Sequence, residues 1–95
     1  MTNSGLEIAG NIYRPTESEP PWPGVLLLHM IYAQRQDWAD FAKYLAQNGL
    51  VALAIDLRGH GKTGGEMDWV LARQDLNQVW RSFGEFPEVD PNQMA

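Results

Sequence analysis

The chain has 95 residues, a mass of 10.7 kDa and no cysteine, so it forms one small domain or part of a larger one, without disulfides or thiolate metal sites. Seven Lys and Arg against twelve Asp and Glu give a net charge of −5. An acidic chain lacks the cations that neutralise phosphates, so we expect no nucleic-acid partner. No apolar run approaches the roughly 20 residues of a membrane span, and residues 1–10 lack a signal-peptide pattern. We therefore expect a cytoplasmic protein without a membrane span.

The first third of the chain predicts two strands that are separated by a loop. A loose alternation of apolar residues predicts a half-buried strand over Leu6–Tyr13, antiparallel and near a sheet edge. Arg14–Gly24 holds four of the six prolines and predicts a loop. Val25–His29 is a short, almost entirely apolar run, which is typical of a strand covered on both faces of a parallel sheet.

The next segments predict a helix followed by a second buried strand. Gln36–Asn48 carries apolar residues at helical spacing, and Gly49 follows it as a left-handed cap would. Leu50–Ile55 is another continuous apolar run. With the run at Val25–His29, these segments form a strand–helix–strand unit in which the two strands are parallel.

The last part of the chain predicts a glycine-rich loop and one more helix. Asp56–Glu66 holds four glycines, and Asp68–Phe83 has the apolar spacing of an amphipathic helix. Gly84–Pro91 predicts a loop, and Asn92–Ala95 leaves no room for a further element. We expect the tryptophans of both helices to pack on the sheet and the acidic residues of this region to form a solvated surface. These acidic residues are Asp68, Asp75, Glu85, Glu88 and Asp90.

Two segments carry a resemblance to a known fold. The first is Leu26–Met30 (LLLHM) at the end of one apolar run, and the second is Asp56–Thr63 (DLRGHGKT) after the other. In this order, with a helix between them, they resemble the N-terminal part of the α/β-hydrolases, closest to dienelactone-hydrolase-like and lysophospholipase-like esterases. The resemblance covers residues 6–95. It implies an α/β fold: the N-terminal portion of an α/β-hydrolase sheet, with a parallel strand–helix–strand unit preceded by an edge strand. Residues 1–95 would then be a partial domain, the N-terminal half, ending before the nucleophile elbow.

The resemblance also implies a functional role for the loop after the first parallel strand. In the family, a backbone N–H of this loop stabilises the negative oxygen of a tetrahedral intermediate. Ile31 occupies that position here, so its N–H would be an oxyanion-hole donor, and Met30 stands in the same oxyanion loop where the family usually has glycine. Tyr32 would contact the substrate, or pack against the loop.

The Arg-Gly-His-Gly turn is structural in the family. Gly59 and Gly61 permit positive φ angles, and Asp56 and Arg58 would tie the loop down through hydrogen bonds. Thr63 stands where the family often has serine.

The catalytic triad that the family implies is not present in the chain. Its nucleophile lies in a G-x-S-x-G turn, followed by an acid and then a histidine, and this chain has no such turn. The order of the triad gives His29 and His60 structural or loop-lining roles. We therefore expect an N-terminal fragment of a serine hydrolase that acts on small-molecule carboxylic esters or related acyl bonds. We expect no cofactor and no metal, and no activity from the 95-residue chain alone.

Three alternatives stay open at this point. Gly61–Thr63 is an imperfect match to the phosphate-binding pattern G-x-x-x-x-G-K-[ST], which would indicate nucleotide binding. A non-enzymatic module could self-associate, or pair with a complementing chain, through an exposed sheet edge. Finally, the same fold supports other reactions, namely acyl transfer, thioester hydrolysis or haloalkane chemistry.

Overall fold

Four strands form one mixed sheet in the computed structural model, which describes residues 7–29 and 35–95. The strands are β1 (Gly10–Tyr13), β2 (Trp22–Leu28), β3 (Val51–Ile55) and β4 (Val89–Met94). Their order in the sheet is β1-β3-β2-β4. Strand β1 is antiparallel to β3, whereas β2 runs parallel to both β3 and β4. The predicted antiparallel edge strand and the predicted parallel pair are therefore confirmed, although β1 is shorter than expected.

Two helices connect the parallel strands. A short 3-10 helix (Arg35–Trp38) leads into α1 (Ala39–Gln47), and α2 (Trp69–Gly84) joins β3 to β4. The predicted glycine cap is confirmed, because Gly49 adopts a φ of 85° after α1. Asp68 caps α2, since its carboxylate accepts a hydrogen bond of 3.0 Å from the backbone N–H of the third residue after it.

The helices cover opposite faces of the sheet. Successive strand residues point to opposite faces, so Val51 of β3 packs with Phe83 of α2 while Ala52 packs with Ala42 of α1. Alanines in β3 and α1 leave little side chain between the two backbones, which lets α1 lie close to the sheet. The buried residues on the α2 side are Trp22, Val51, Phe83 and Val89, and those on the α1 side are Leu27, Ala42, Ala52 and Ala54.

The prediction for the end of the chain is wrong. Gly84–Pro91 and Asn92–Ala95 were expected to form a loop and a short tail, but β4 lies there. Asp, Pro and Asn disfavour strands, and here main-chain pairing with β2 overrides that preference. The N–H of Ala95, directly after β4, donates to the carbonyl of Gly24 at 2.9 Å, and the N–H of Trp22 donates to the carbonyl of Glu88, directly before β4, at 2.8 Å.

The loop predicted over Arg14–Gly24 is also too long. Strand β2 already begins at Trp22, and its pairing with β4 is irregular between Pro23 and Gly24. A proline cannot donate to a neighbouring strand, so it is tolerated at such an irregularity. Trp22 is buried against the α2 side of the sheet, which fixes this segment as a strand.

Candidate active site

The carboxyl ends of β2 and β3 lie side by side. Leu28 pairs with Ile55 in the parallel register, so His29 and Asp56 begin two neighbouring loops at the same edge of the sheet. In open α/β sheets this edge is where ligands bind. The candidate site among the described residues therefore consists of His29, directly after β2, and the glycine-rich loop after β3.

Asp56 is the centre of the polar contacts at this edge. Its side chain is fully buried, and its Oδ1 accepts a hydrogen bond of 2.7 Å from the backbone N–H of Arg35. Its Oδ2 accepts the backbone N–H of Lys62 at 2.9 Å and also pairs with the Arg35 guanidinium, which is itself buried. Three donors on one carboxylate satisfy a charge that would otherwise be costly to bury. Asp56 thus joins the 3-10 helix that begins at Arg35 to the loop after β3.

These contacts change the acidity of Asp56. Burial raises the pKa of its carboxyl group, but the backbone N–H groups of Arg35 and Lys62, together with the charge of Arg35, lower it below its ordinary value overall. Such a carboxylate stabilises the fold above its unfolded pKa of about 3.9, and the contribution is lost as pH falls through the lower folded pKa.

The stability of the protein should therefore depend on this carboxylate at acid pH. We expect the free energy of unfolding to decrease from about pH 4 downwards, and to decrease less steeply in an Asp56→Asn variant, which has no carboxyl group to protonate there. Urea unfolding at a series of pH values measures both slopes. Equal slopes in the two proteins would contradict the ionised Asp56 described here.

Two histidines lie beside the loop after β3, with ring centres 4.8 Å apart. His29 Nε2 accepts a hydrogen bond of 2.9 Å from the backbone N–H of Leu57, which places its proton on Nδ1 when the ring is neutral. The Nδ1 atom of His60 lies 3.0 Å from the carbonyl of Arg58. Both rings are buried and bond to the main chain of the loop after β3, so each serves to hold that loop.

A second buried ion pair fastens the same loop to α2. The Nε and Nη2 atoms of Arg58 donate to the two carboxylate oxygens of Asp75, at 2.7 and 2.9 Å. This two-point contact raises the pKa of Arg58. The expectation that Asp75 belongs to a solvated surface is wrong, because it is buried on the inner face of α2.

Two other members of the expected acidic surface also have structural partners. Asp68 caps α2, as described above, and Glu88 forms an ion pair with Arg14 at 2.5 Å. The sequence gives no sign of the second contact, because the partners lie 74 positions apart in the chain.

The expected tie of the glycine-rich loop is present. Gly59 and Gly61 have φ angles of 81° and 50°, and a Cβ on Gly61 would overlap the Asp56 carboxylate. Thr63 donates from its hydroxyl to the Asp56 carbonyl at 2.6 Å and accepts the N–H of Ala9 at 2.8 Å, which joins the loop to the chain before β1.

None of the residues predicted to perform the chemistry is among those that the structure describes. Met30, Ile31 and Tyr32 lie outside the described residues, between His29 and Arg35. Arg35 was missed, because the sequence analysis assigned it no role. One sequence signal could have identified Arg35. It is a charged residue just before a helix, together with an aspartate directly after the neighbouring parallel strand.

The described residues contain no assembled triad. Their two serines, Ser18 and Ser82, lie away from the histidines: Ser18 accepts a hydrogen bond of 3.0 Å from the Trp22 indole at the start of β2, and Ser82 lies near the end of α2. Within residues 7–29 and 35–95, no three His, Cys, Asp or Glu side chains are grouped to hold a metal ion. No helix in this part of the chain combines the length and apolarity needed to cross a membrane.

Most of the chain matches a known protein family. Residues 4–81, more than half of the chain, match the family of the X-Pro dipeptidyl-peptidases (S15 family). The chain belongs to the S15 family. Polyketide transferase claH of Penicillium crustosum is 26% identical to this S15-family chain over 101 residues, covering 100% of the chain and 33% of the transferase.

Solved structures show the same fold. DcsB, solved in complex with its substrate analogue, superposes with a TM-score of 0.86 at 19% identity, over 99% of the S15-family chain and 33% of DcsB. The esterase EaEST of Exiguobacterium antarcticum gives a TM-score of 0.72 at 20% identity, over 86% of the chain and 30% of the esterase. The predicted N-terminal portion of an α/β-hydrolase sheet is therefore confirmed. The S15-family chain spans about a third of the length of these proteins.

Proposed function

We propose that this chain supplies the first part of a serine hydrolase that cleaves carboxylic ester or related acyl bonds of small molecules. The observation that carries the proposal is the parallel pairing of β2 with β3, which brings His29, directly after β2, next to the loop that begins at Asp56. Membership of the S15 family and the fold shared with an esterase support it.

The proposed chemistry divides the work between this chain and residues outside it. A serine activated by a histidine attacks the acyl carbonyl, and the negative charge that develops on the oxygen is stabilised by two backbone N–H groups. Ile31 donates one of them, within the oxyanion loop that Met30 begins, and the residue after the serine donates the other. Tyr32 contacts the substrate. Removing one such donor typically costs about 10²–10³ in kcat.

Labelling with a fluorophosphonate probe, which reacts with activated serines, tests this division. We expect no labelling of the 95-residue chain. We expect labelling once the chain is joined to, or mixed with, a segment that carries the G-x-S-x-G serine, because the nucleophile and its histidine then complete the site. Substituting that serine by alanine should abolish the signal, whereas Ser18→Ala and Ser82→Ala should leave it unchanged.

Two outcomes would overturn the proposal. Labelling of the 95-residue chain alone would show that it holds its own nucleophile. A completed and folded protein that does not label would not be a serine hydrolase. To distinguish hydrolysis from acyl transfer, the protein that reacts with the probe is assayed on an ester substrate with and without an added alcohol acceptor.

A second candidate follows from an exposed apolar groove beside β4. Leu28 and Trp80 are 39% and 41% exposed, and together with Leu26 and Leu76 they line this groove. Strand β4 lies at the end of the strand order, so its outer edge is open among the described strands. A second copy of the chain would cover both features. Absence of labelling in every form, together with a stable dimer in sedimentation, would favour this non-enzymatic module.

A further inference from the structure

A pocket lies between α2 and the outer part of the sheet, on the side of β1. Its volume is about 340 Å³, which is within the roughly 300–1,000 Å³ that small-molecule sites occupy. Its walls are mostly apolar and include Ile12, Leu53, Phe83 and Phe86. No residue of the glycine-rich loop lines it, so it is separate from the candidate active site.

Two small residues leave this pocket open beside a central strand. Every residue of β3 is buried except Leu53, which lines the pocket. Gly10 of β1 has no side chain, and the position its Cβ would take lies 3.4 Å from Leu53 Cδ1. Ser82 of α2, also in the lining, carries only a hydroxymethyl group. The apolar surface that stays open to water there favours an apolar occupant.

The pocket also has unused hydrogen-bond donors. Arg14, directly after β1, is the only charged residue among the described residues that line the pocket. Its Nε donates to Glu88 at 2.5 Å. Within residues 7–29 and 35–95, its Nη groups and the Ser82 hydroxyl have no hydrogen-bond partner. The Nη groups offer four N–H donors on a positive charge to the oxygens of a ligand.

We propose that this pocket binds an aliphatic monocarboxylate, with its chain against the apolar walls and its carboxylate at Arg14. The two parts of such a ligand match the two kinds of surface, because charge-assisted hydrogen bonds to a guanidinium are stronger than those of a neutral acceptor. Glu88 opposes the second anion, but it takes only the Nε donor of Arg14. The proposal does not depend on the proposed function.

Calorimetric titration of the 95-residue chain with octanoate, hexanoate and octanol tests the proposal, with each ligand below the concentration at which it forms micelles. We expect one octanoate per chain. Each buried methylene group raises the affinity about three- to fourfold, so hexanoate should bind about tenfold more weakly. Octanol has the same chain without the charge and should bind about five- to tenfold more weakly. Absence of saturable octanoate binding, or equal affinities for octanoate and hexanoate, would overturn the proposal.

Arg14→Gln tests the polar end of the pocket, and Arg81→Gln is its matched control. Arg81 is exposed near the end of α2 and does not line the pocket. Arg14→Gln should weaken octanoate binding about five- to tenfold and change octanol binding by less than about twofold, because only octanoate carries the charge. Arg81→Gln should change neither by more than about twofold. Glu88→Gln should tighten octanoate binding about threefold, because it removes the anion beside Arg14.

These variants also decide whether a charge is recognised at all. An octanoate affinity that is unchanged in Arg14→Gln, or lowered equally in Arg14→Gln and Arg81→Gln, would show that Arg14 does not hold the carboxylate. Either result overturns the proposal, even if the pocket accepts apolar chains.

Ser82→Leu tests whether the chain lies in this pocket. The leucine would occupy part of the pocket and should weaken the binding of both octanoate and octanol about tenfold or more. Gln74→Leu places the same side chain on the same helix, at an exposed position outside the lining, and should leave both affinities within about twofold. Circular dichroism checks that both variants are folded. Equal octanoate affinities in the two folded variants would place the ligand elsewhere and overturn the proposal.

Discussion

The Gly61→Ala variant is expected to lose about 3–5 kcal/mol of unfolding free energy, because the added methyl group meets a buried carboxylate. Gly61 has a φ of 50°, and the added methyl would overlap the carboxylate of Asp56. To make room, Asp56 must move away from Arg35 and from the N–H of Lys62, which leaves a buried charge without its partners. Urea-induced unfolding followed by circular dichroism measures the loss.

Gly64→Ala separates the overlap from the backbone strain. Gly64 also has a positive φ, 63°, but no atom in the described part of the chain lies within 4 Å of the position its Cβ would take. Its variant should lose only the cost of a left-handed alanine, about 1–2 kcal/mol. If Gly61→Ala destabilises the chain so far that it does not fold while Gly64→Ala still folds, the prediction is also met. Equal losses would show that Asp56 is not held against Gly61.

The second large effect is expected from Phe83→Ala, at about 3–5 kcal/mol. Phe83 is fully buried on the α2 side of the sheet, where its ring lies over Gly24 of β2 and edge-on to Phe86 at 5.9 Å. Gly24 has no side chain to fill the space, and a Cβ on it would already be 3.0 Å from the Phe83 ring. The truncation therefore leaves a cavity between α2 and the sheet. Thermal and urea unfolding both report the loss.

Trp69→Ala is the control for Phe83→Ala. Trp69 begins the same helix and loses more atoms on truncation, but it is 65% exposed, so the expectation that it packs on the sheet is wrong. We expect a change within about 0.5 kcal/mol, which is usual for surface positions. A loss at Trp69 as large as that at Phe83 would show that burial on the inner face of α2 does not decide the stability of this helix.

The candidate site was only partly predictable from the sequence. The roles of Asp56, Arg58, Gly59 and Gly61 as ties of the loop were implied by the resemblance of this short segment to the α/β-hydrolases. The partners of these ties were not predictable. Asp75 looks like any charged residue on an amphipathic helix, and only the packing of α2 turns it inward to Arg58.

The sequence by itself determined the elements whose pattern is local: the apolar runs of β2 and β3, the helical spacing of α1 and α2, and the glycine cap between α1 and β3. Each of these patterns lies within one short stretch of consecutive residues, so neighbours in the chain are sufficient to specify the element. Only the tertiary structure decided that Val89–Met94 is a strand and that Arg35 meets Asp56. The reason is that strand pairing and buried ion pairs join residues far apart in the chain, where a poor local preference is outweighed by hydrogen bonds and burial that exist only once the sheet has formed.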